Sequence, residues 1–227
     1  MNHKLLGLSA VLGLSAALTG CLTSGELGGG TFGYRCDNTG NDAVCEGAFP
    51  GQDLTMPRKI AVGSVFLIDF FGDASSNVTF TTEGASPEYI LPSGSFLQFQ
   101  KAGYSAVLSR TPDGRVGDFV HLRAVDIDHL SVLRLANAVQ DLKLSKGQSV
   151  TLLAVPQDET NETLAGAFTY TWSTTGPDSV VEIAYDLDSQ GVGKSNSVIL
   201  TGVGDGAVDL VVQTQSKTAI VHITVGG

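Results

Sequence analysis

Residues 199–225 read ILTGVGDGAVDLVVQTQSKTAIVHITV, and this stretch decides the fold. After Gly206, apolar residues recur at every second position: Val208, Leu210 and Val212 share one face, Asp209 and Gln213 the other. Past a short polar turn the alternation resumes, with Ala219, Val221, Ile223 and Val225 facing in and His222 and Thr224 facing out. A two-residue period is the mark of strands that bury one face, and two such strands joined by a turn make a hairpin. Fully burying one Val or Leu contributes about 1.5–3 kcal/mol. A slip of one residue would send Asp209 and His222 inside, so the register is well determined.

Short runs rich in Val, Ile, Leu, Phe, Tyr and Thr, separated by Gly, Asp, Ser, Asn and Pro, extend this reading toward the N-terminus. Strands are expected at 65–70, 77–82, 89–91, 96–100, 104–110, 116–124 and 127–135, then at 139–144, 149–155, 168–174, 180–185, 197–200, 207–214 and 218–225. Tyr170 and Trp172 share a face and are expected at the centre of the second core. The nearest approach to a helical pattern, DHLSVLRLANAVQD at 128–141, reads as a strand running through the domain junction.

The two halves also resemble each other. GSVFLI at 63–68 parallels GQSVTLL at 147–153, VTFTTEG at 78–84 parallels YTWSTTG at 170–176, GYSAVL at 103–108 parallels GAVDLV at 206–211, and VHL at 120–122 parallels VHI at 221–223. The offsets of 84, 92, 103 and 101 drift with loop length but keep their order. A repeat of roughly 90–100 residues with about seven strands has the size of an immunoglobulin-like sandwich. The expected fold is therefore all-β, with two tandem immunoglobulin-like β-sandwiches at 57–136 and 137–227. YTWS at 170–173 and the hairpin at 199–225 resemble bacterial immunoglobulin-like domains of the invasin and intimin type, over residues 138–227. In that family such domains occur in surface adhesins, often as stalks. The first half has Phe80 where the second has Trp172, and its assignment rests on the internal repeat.

Residues 1–20 read as an export signal: one basic residue, Lys4, no acid, and an apolar run at 5–17. That run is shorter than the roughly 20 residues a permanent span needs. It ends in Leu18-Thr19-Gly20-Cys21, which resembles the lipobox of bacterial lipoproteins. The resemblance implies cleavage before Cys21 and acyl chains on its thiol, each buried methylene contributing about 0.8 kcal/mol to membrane binding. Leu22 after the cysteine resembles the outer-membrane sorting pattern of enteric lipoproteins. Residues 21–56 are then expected to form a lipidated tether, with LTSGELGGG at 22–30 too poor in apolar surface to order itself. Once Cys21 is acylated, Cys36 and Cys45 remain as one pair for a disulfide in an oxidising compartment. Closing that ten-residue loop stabilises the fold by about 2.7 kcal/mol in the chain-entropy model.

The formal charge of −10 becomes −11 without Lys4, which argues against nucleic acid and against charge-driven docking on anionic lipid. Candidate chemistry is sparse. Asp118, His121 and His129 could bind a metal or exchange protons, but alternation places Asp118 and His121 on different strand faces and makes Asp113-Gly114 a hairpin turn. Residues 203–206 (VGDG) and 186–188 (DLD) resemble fragments of calcium loops without the full ligand series, and read as turns. No Gly-x-Ser-x-Gly nucleophile motif is present. No catalytic residue, metal or cofactor is therefore expected. The function expected is that of a non-enzymatic, lipid-anchored envelope protein, at the outer membrane, for adhesion, assembly or spacing. Its partners would be the membrane through Cys21 and an envelope protein or glycan. The alternatives are a carbohydrate- or small-ligand-binding lipoprotein and, behind it, a metal-dependent enzyme.

Overall fold

A computed structural model describes residues 23–24, 26–36, 41–46, 53–72, 79–84, 87–88, 96–177, 179–187, 191, 193–215 and 217–226. The signal segment, Cys21 and the expected strand at 89–91 lie outside the described residues. The first half carries β1 (Thr23–Ser24), β2 (Gly30–Arg35), β3 (Asp53–Leu54), β4 (Ile60–Ala61), β5 (Val65–Gly72), β6 (Thr79–Gly84), β7 (Pro87–Glu88), β8 (Phe96–Phe99), β9 (Gly103–Arg110) and β10 (Val116–Val125). The second carries β11 (His129–Arg134), β12 (Asn137–Ala138), β13 (Asp141–Leu144), β14 (Ser149–Gln157), β15 (Thr171–Thr175), β16 (Val181–Leu187), β17 (Gly193–Gly202), β18 (Gly206–Thr214) and β19 (Lys217–Val225).

Each half is a two-sheet sandwich, and the strand orders match. In the first, β2-β5-β8-β7 face β4-β10-β9-β6; in the second, β11-β14-β17-β16 face β13-β19-β18-β15. The first strand of each facing sheet, β4 or β13, runs parallel to its neighbour β10 or β19. The repeat seen in the sequence holds to the residue: Phe80 lies opposite Ser109 as Trp172 lies opposite Val212, and Val107 opposite Val120 as Leu210 opposite Val221. The hairpin of β18 and β19 has the expected register, with Val208, Leu210, Val212, Val221, Ile223 and Val225 all buried. On the outer face, Asp209 and His222 are cross-strand partners joined at 2.6 Å. Tyr170 and Trp172 sit in the second core, the indole N–H donating to the Ser195 carbonyl at 2.8 Å.

Two expectations change. Residues 22–30 were expected to be a loose tether, yet β1 pairs with β2, and β2 pairs with β5 over six residues from Gly30 to Arg35. Asp118 fastens this segment, accepting from the Leu27 N–H at 2.8 Å and the Gly30 N–H at 3.0 Å, while the Glu26 N–H donates to the Phe119 carbonyl. The first sandwich thus begins upstream of residue 57. The glycine that disguised β2 has a packing cause. A Cβ on Gly30 would lie 2.2 Å from the Phe70 ring, whereas the equivalent pair in the second sandwich is Leu130 with Ala154. Large and small have exchanged sides of the same space, as close packing requires. The second change is that His129–Arg134 belongs wholly to the second sandwich, paired with β14, upstream of the boundary expected at 137.

Candidate functional site

Only Asp126, Ile127 and Asp128 separate β10 from β11, so the sandwiches meet end to end. The loop leaving β14 in the second sandwich crosses the seam and lies along the first. The Ala61 N–H donates to the Ala165 carbonyl at 2.9 Å and the Ala165 N–H to the Lys59 carbonyl at 3.2 Å. Val65 and Ala167 exchange both their backbone hydrogen bonds. The two cores trade an alanine: Ala61 packs in the second and Ala165 in the first. Gly166 sits at φ +111°, and a Cβ there would fall 1.9 Å from the Ser64 Oγ, so only glycine allows the approach.

The disulfide loop is the second fastening. Cys36 and Cys45 are bonded, with a Cα–Cα distance of 5.5 Å. Between them Asn41 Oδ1 accepts from the Ser195 N–H at 2.6 Å and Oγ at 3.0 Å, and the buried Asp42 carboxylate accepts from the Gly166 N–H at 3.0 Å. The Asp42 carboxylate also accepts from the Tyr34 hydroxyl and the Val44 N–H, so the buried charge is compensated within its own sandwich as well. Burial, and after it the charge of Asp42, push the Tyr170 hydroxyl well above the ordinary tyrosine range, which keeps it neutral. At the loop's end Glu46 faces Lys194 at 3.6 Å.

Lys59 forms the third fastening, bridging to Asp158 and to Glu162, the latter at 2.7 Å. The Lys59 hydrogen bond, followed by that of Thr160, holds the Asp158 carboxyl far below its usual range; Asp158 and then Glu162 raise Lys59 above its own. Beside this bridge opens a cleft of about 830 Å³, walled by Lys59, Tyr104 and Arg123 of the first sandwich, Asp158 and Lys217 of the second, and the linker residue Asp126. The Tyr104 ring is two-thirds exposed (66%), with the Arg123 guanidinium carbon 5.7 Å from its centre. The Lys217 ammonium donates to the Asp128 carbonyl at 2.7 Å, and both residues line the cleft.

Asp118, His121 and His129 are not brought together. Asp118 is fully buried and its oxygens are taken by backbone N–H groups; His121 meets Glu26, and His129 meets Asp128 and Gln157. Among the described residues no group of three His, Cys, Asp or Glu is placed to hold a metal. Asp113-Gly114 forms the expected turn, Gly114 at φ +83°. The Thr111 hydrogen bond, then Arg115, lowers the Asp113 carboxyl. Residues 203–205 turn the chain between β17 and β18, and Gly206 opens β18. Asp186 accepts from the Ser197 hydroxyl at 3.2 Å, and residue 188 lies outside the described residues. Sequence reading missed Tyr104, Arg123 and the loop at 158–167, whose importance depends on which residues lie across the seam.

No family model matches the chain, and no curated protein does. Among solved structures it is similar to domains 4 and 5 of the S-layer protein SbsC, at 14% identity and a TM-score of 0.35, over 79% of this chain and 89% of that one. It is also similar to invasin, a bacterial integrin-binding protein, at 17% identity and a TM-score of 0.35, over 75% of this chain and 38% of that one. The Escherichia coli adhesin FdeC gives 16% identity and a TM-score of 0.32, over 75% and 62%. The chain spans less than two thirds of the latter two proteins, and only 24% of a longer SbsC fragment. Scores this low say nothing of function; the sandwich assignment rests on strand order and register.

Proposed function

We propose that the chain is a non-enzymatic lipoprotein of the cell envelope, held on the outer membrane by acyl chains on Cys21, in which two sandwiches act as one stiff spacer for adhesion or assembly. The observation that carries the reading is the triple fastening of the seam by the Ala165–Ala167 backbone, the disulfide loop and the Lys59 bridge. Tandem domains with small polar interfaces move freely by default, whereas here backbone pairing crosses from one sandwich to the other. Such stiffness suits a part that sets a distance. Asp118, the acid that the sequence sets nearest to His121, spends its oxygens on the Leu27 and Gly30 N–H groups.

The anchor reading rests on the sequence at 18–21 and gains a geometric consequence. Leu22 alone would separate a lipidated Cys21 from Thr23, two residue steps of at most about 7 Å when extended, and Thr23 already pairs with Phe32. The first sandwich would then ride close to the bilayer. Metabolic labelling with an alkyne fatty acid, in cells making the full chain, tests the anchor. Label and membrane association should both vanish in Cys21→Ser; a labelled Cys21→Ser protein, or a mature N-terminus at another residue, refutes it.

A further inference from the structure

The duplication supplies an internal control for the cleft. Tyr104 and Arg123 are cross-strand partners on β9 and β10, and their equivalents on β18 and β19 are Ala207 and Thr224. Both pairs follow the same backbone, for Gly103 and Gly206 each adopt φ 146°. The second sandwich therefore folds with a methyl and a small hydroxyl where the first has a phenol ring and a guanidinium. Neither large group is required by the strand pairing. Nor is the ring buried: it stands 66% exposed at the cleft, although aromatic side chains ordinarily contribute by burying 150–250 Å². The Arg123 guanidinium at 5.7 Å is within cation–π range and steadies the ring in water.

We propose that Tyr104 and Arg123 form the platform of a saccharide-binding site in the cleft at the seam, a role beyond spacing. A pyranose ring presents one face of C–H groups, which stacks on a phenol ring, and a rim of hydroxyls that both donate and accept. The cleft offers complements to each: the Tyr104 face for stacking, Arg123 as a donor, and the exposed carboxylates of Asp126 and Asp128 as acceptors. Its volume of about 830 Å³ falls within the size range of small-ligand sites, which also favour boundaries between domains. The alternation of acid and base around the cleft, with Lys59 already neutralised by Asp158 and Glu162, favours an uncharged ring over a polyanion. A chain of net charge −10 repels phosphate-rich polymers in any case. Because the walls come from both sandwiches, the stiff seam also fixes the site's shape.

A glycan of the bacterium's own envelope and one on another cell share this chemistry, and two probes separate them. Full-length protein in detergent is titrated with chitotriose, a β-linked N-acetylglucosamine trimer, and with lactose, a β-galactoside, using saturation-transfer NMR. Binding of chitotriose points to an envelope glycan, binding of lactose to a foreign one, and either supports the site if Tyr104→Ala weakens it at least about tenfold. Tyr104→Phe should keep the stacking and bind, while Arg123→Ala should weaken binding. Circular dichroism confirms that each variant folds, as the Ala207 equivalent predicts. No binding of either sugar at millimolar concentration, or binding untouched by Tyr104→Ala, overturns the proposal. Neither result bears on the Cys21 labelling, so the two readings fail separately.

Discussion

Replacing Cys36 and Cys45 together by alanine should uncouple the two sandwiches as well as weaken the first. Closure of the ten-residue loop is worth about 2.7 kcal/mol in the chain-entropy model. Domains of about 100 residues lose roughly 4–8 °C of Tm per kcal/mol, so the first sandwich should melt about 10–20 °C lower. The loop also carries Asn41, Asp42 and Glu46, which reach Ser195, Gly166 and Lys194 of the second sandwich. Each neutral hydrogen bond contributes about 0.5–1.5 kcal/mol net, and those to a charged group about 1.5–3, so an unclosed loop removes much of what ties the halves. Differential scanning calorimetry should show one transition for the parent and two for the double variant, the upper one little moved. Small-angle scattering should show a broader distribution of lengths. Asn41→Ala, which leaves the disulfide intact, should loosen the seam with only about 1 kcal/mol of cost. A double variant that melts in one step within a few degrees of the parent would refute the idea that the loop is a clasp.

Gly166→Ala places a Cβ 1.9 Å from Ser64 Oγ at a left-handed φ, so it should part the sandwiches while each stays folded; scattering and limited proteolysis of the 126–128 linker check this. Asp118→Ala leaves the Leu27 and Gly30 N–H groups without their acceptor, and their hydrogen exchange should quicken while residues 206–225 keep their protection. The Lys59 bridge gives a pH signature. The depressed Asp158 carboxyl contributes stability above its unfolded value near 3.9, lost only as pH falls through its much lower folded value; the raised Lys59 contributes below about 10.4, lost as pH rises through its higher folded value. Scattering should therefore report a constant seam across neutral pH and opening only at the acid and alkaline extremes. His222, raised first by its hydrogen bond to Asp209, contributes stability fully below about pH 6.5, lost as pH rises through its folded value; Asp209→Asn should lower the His222 pKa in an NMR titration.

The strands and the faces they bury were legible in the sequence because period-2 alternation is a local property. Val208, Leu210 and Val212 announce their face without reference to anything distant, and the duplicated segments announce two copies of one fold. The disulfide could be inferred because two cysteines remain once Cys21 is set aside. Strand β2 could not be read so, since Gly30 owes its identity to the Phe70 ring, forty residues away, and a glycine run reads as a linker when that ring is unseen. The seam was decided only in three dimensions. Its backbone bonds join Lys59, Ala61 and Val65 to Ala165 and Ala167, which carry no side-chain signal. Its side-chain clasps, Asn41, Asp42 and Lys59, show their partners only once folded, and its cleft exists only where Tyr104 and Arg123 come to lie beside Asp158 and Lys217. Alternation fixes which way a side chain points relative to its own sheet; what it meets there depends on the sheet brought against it.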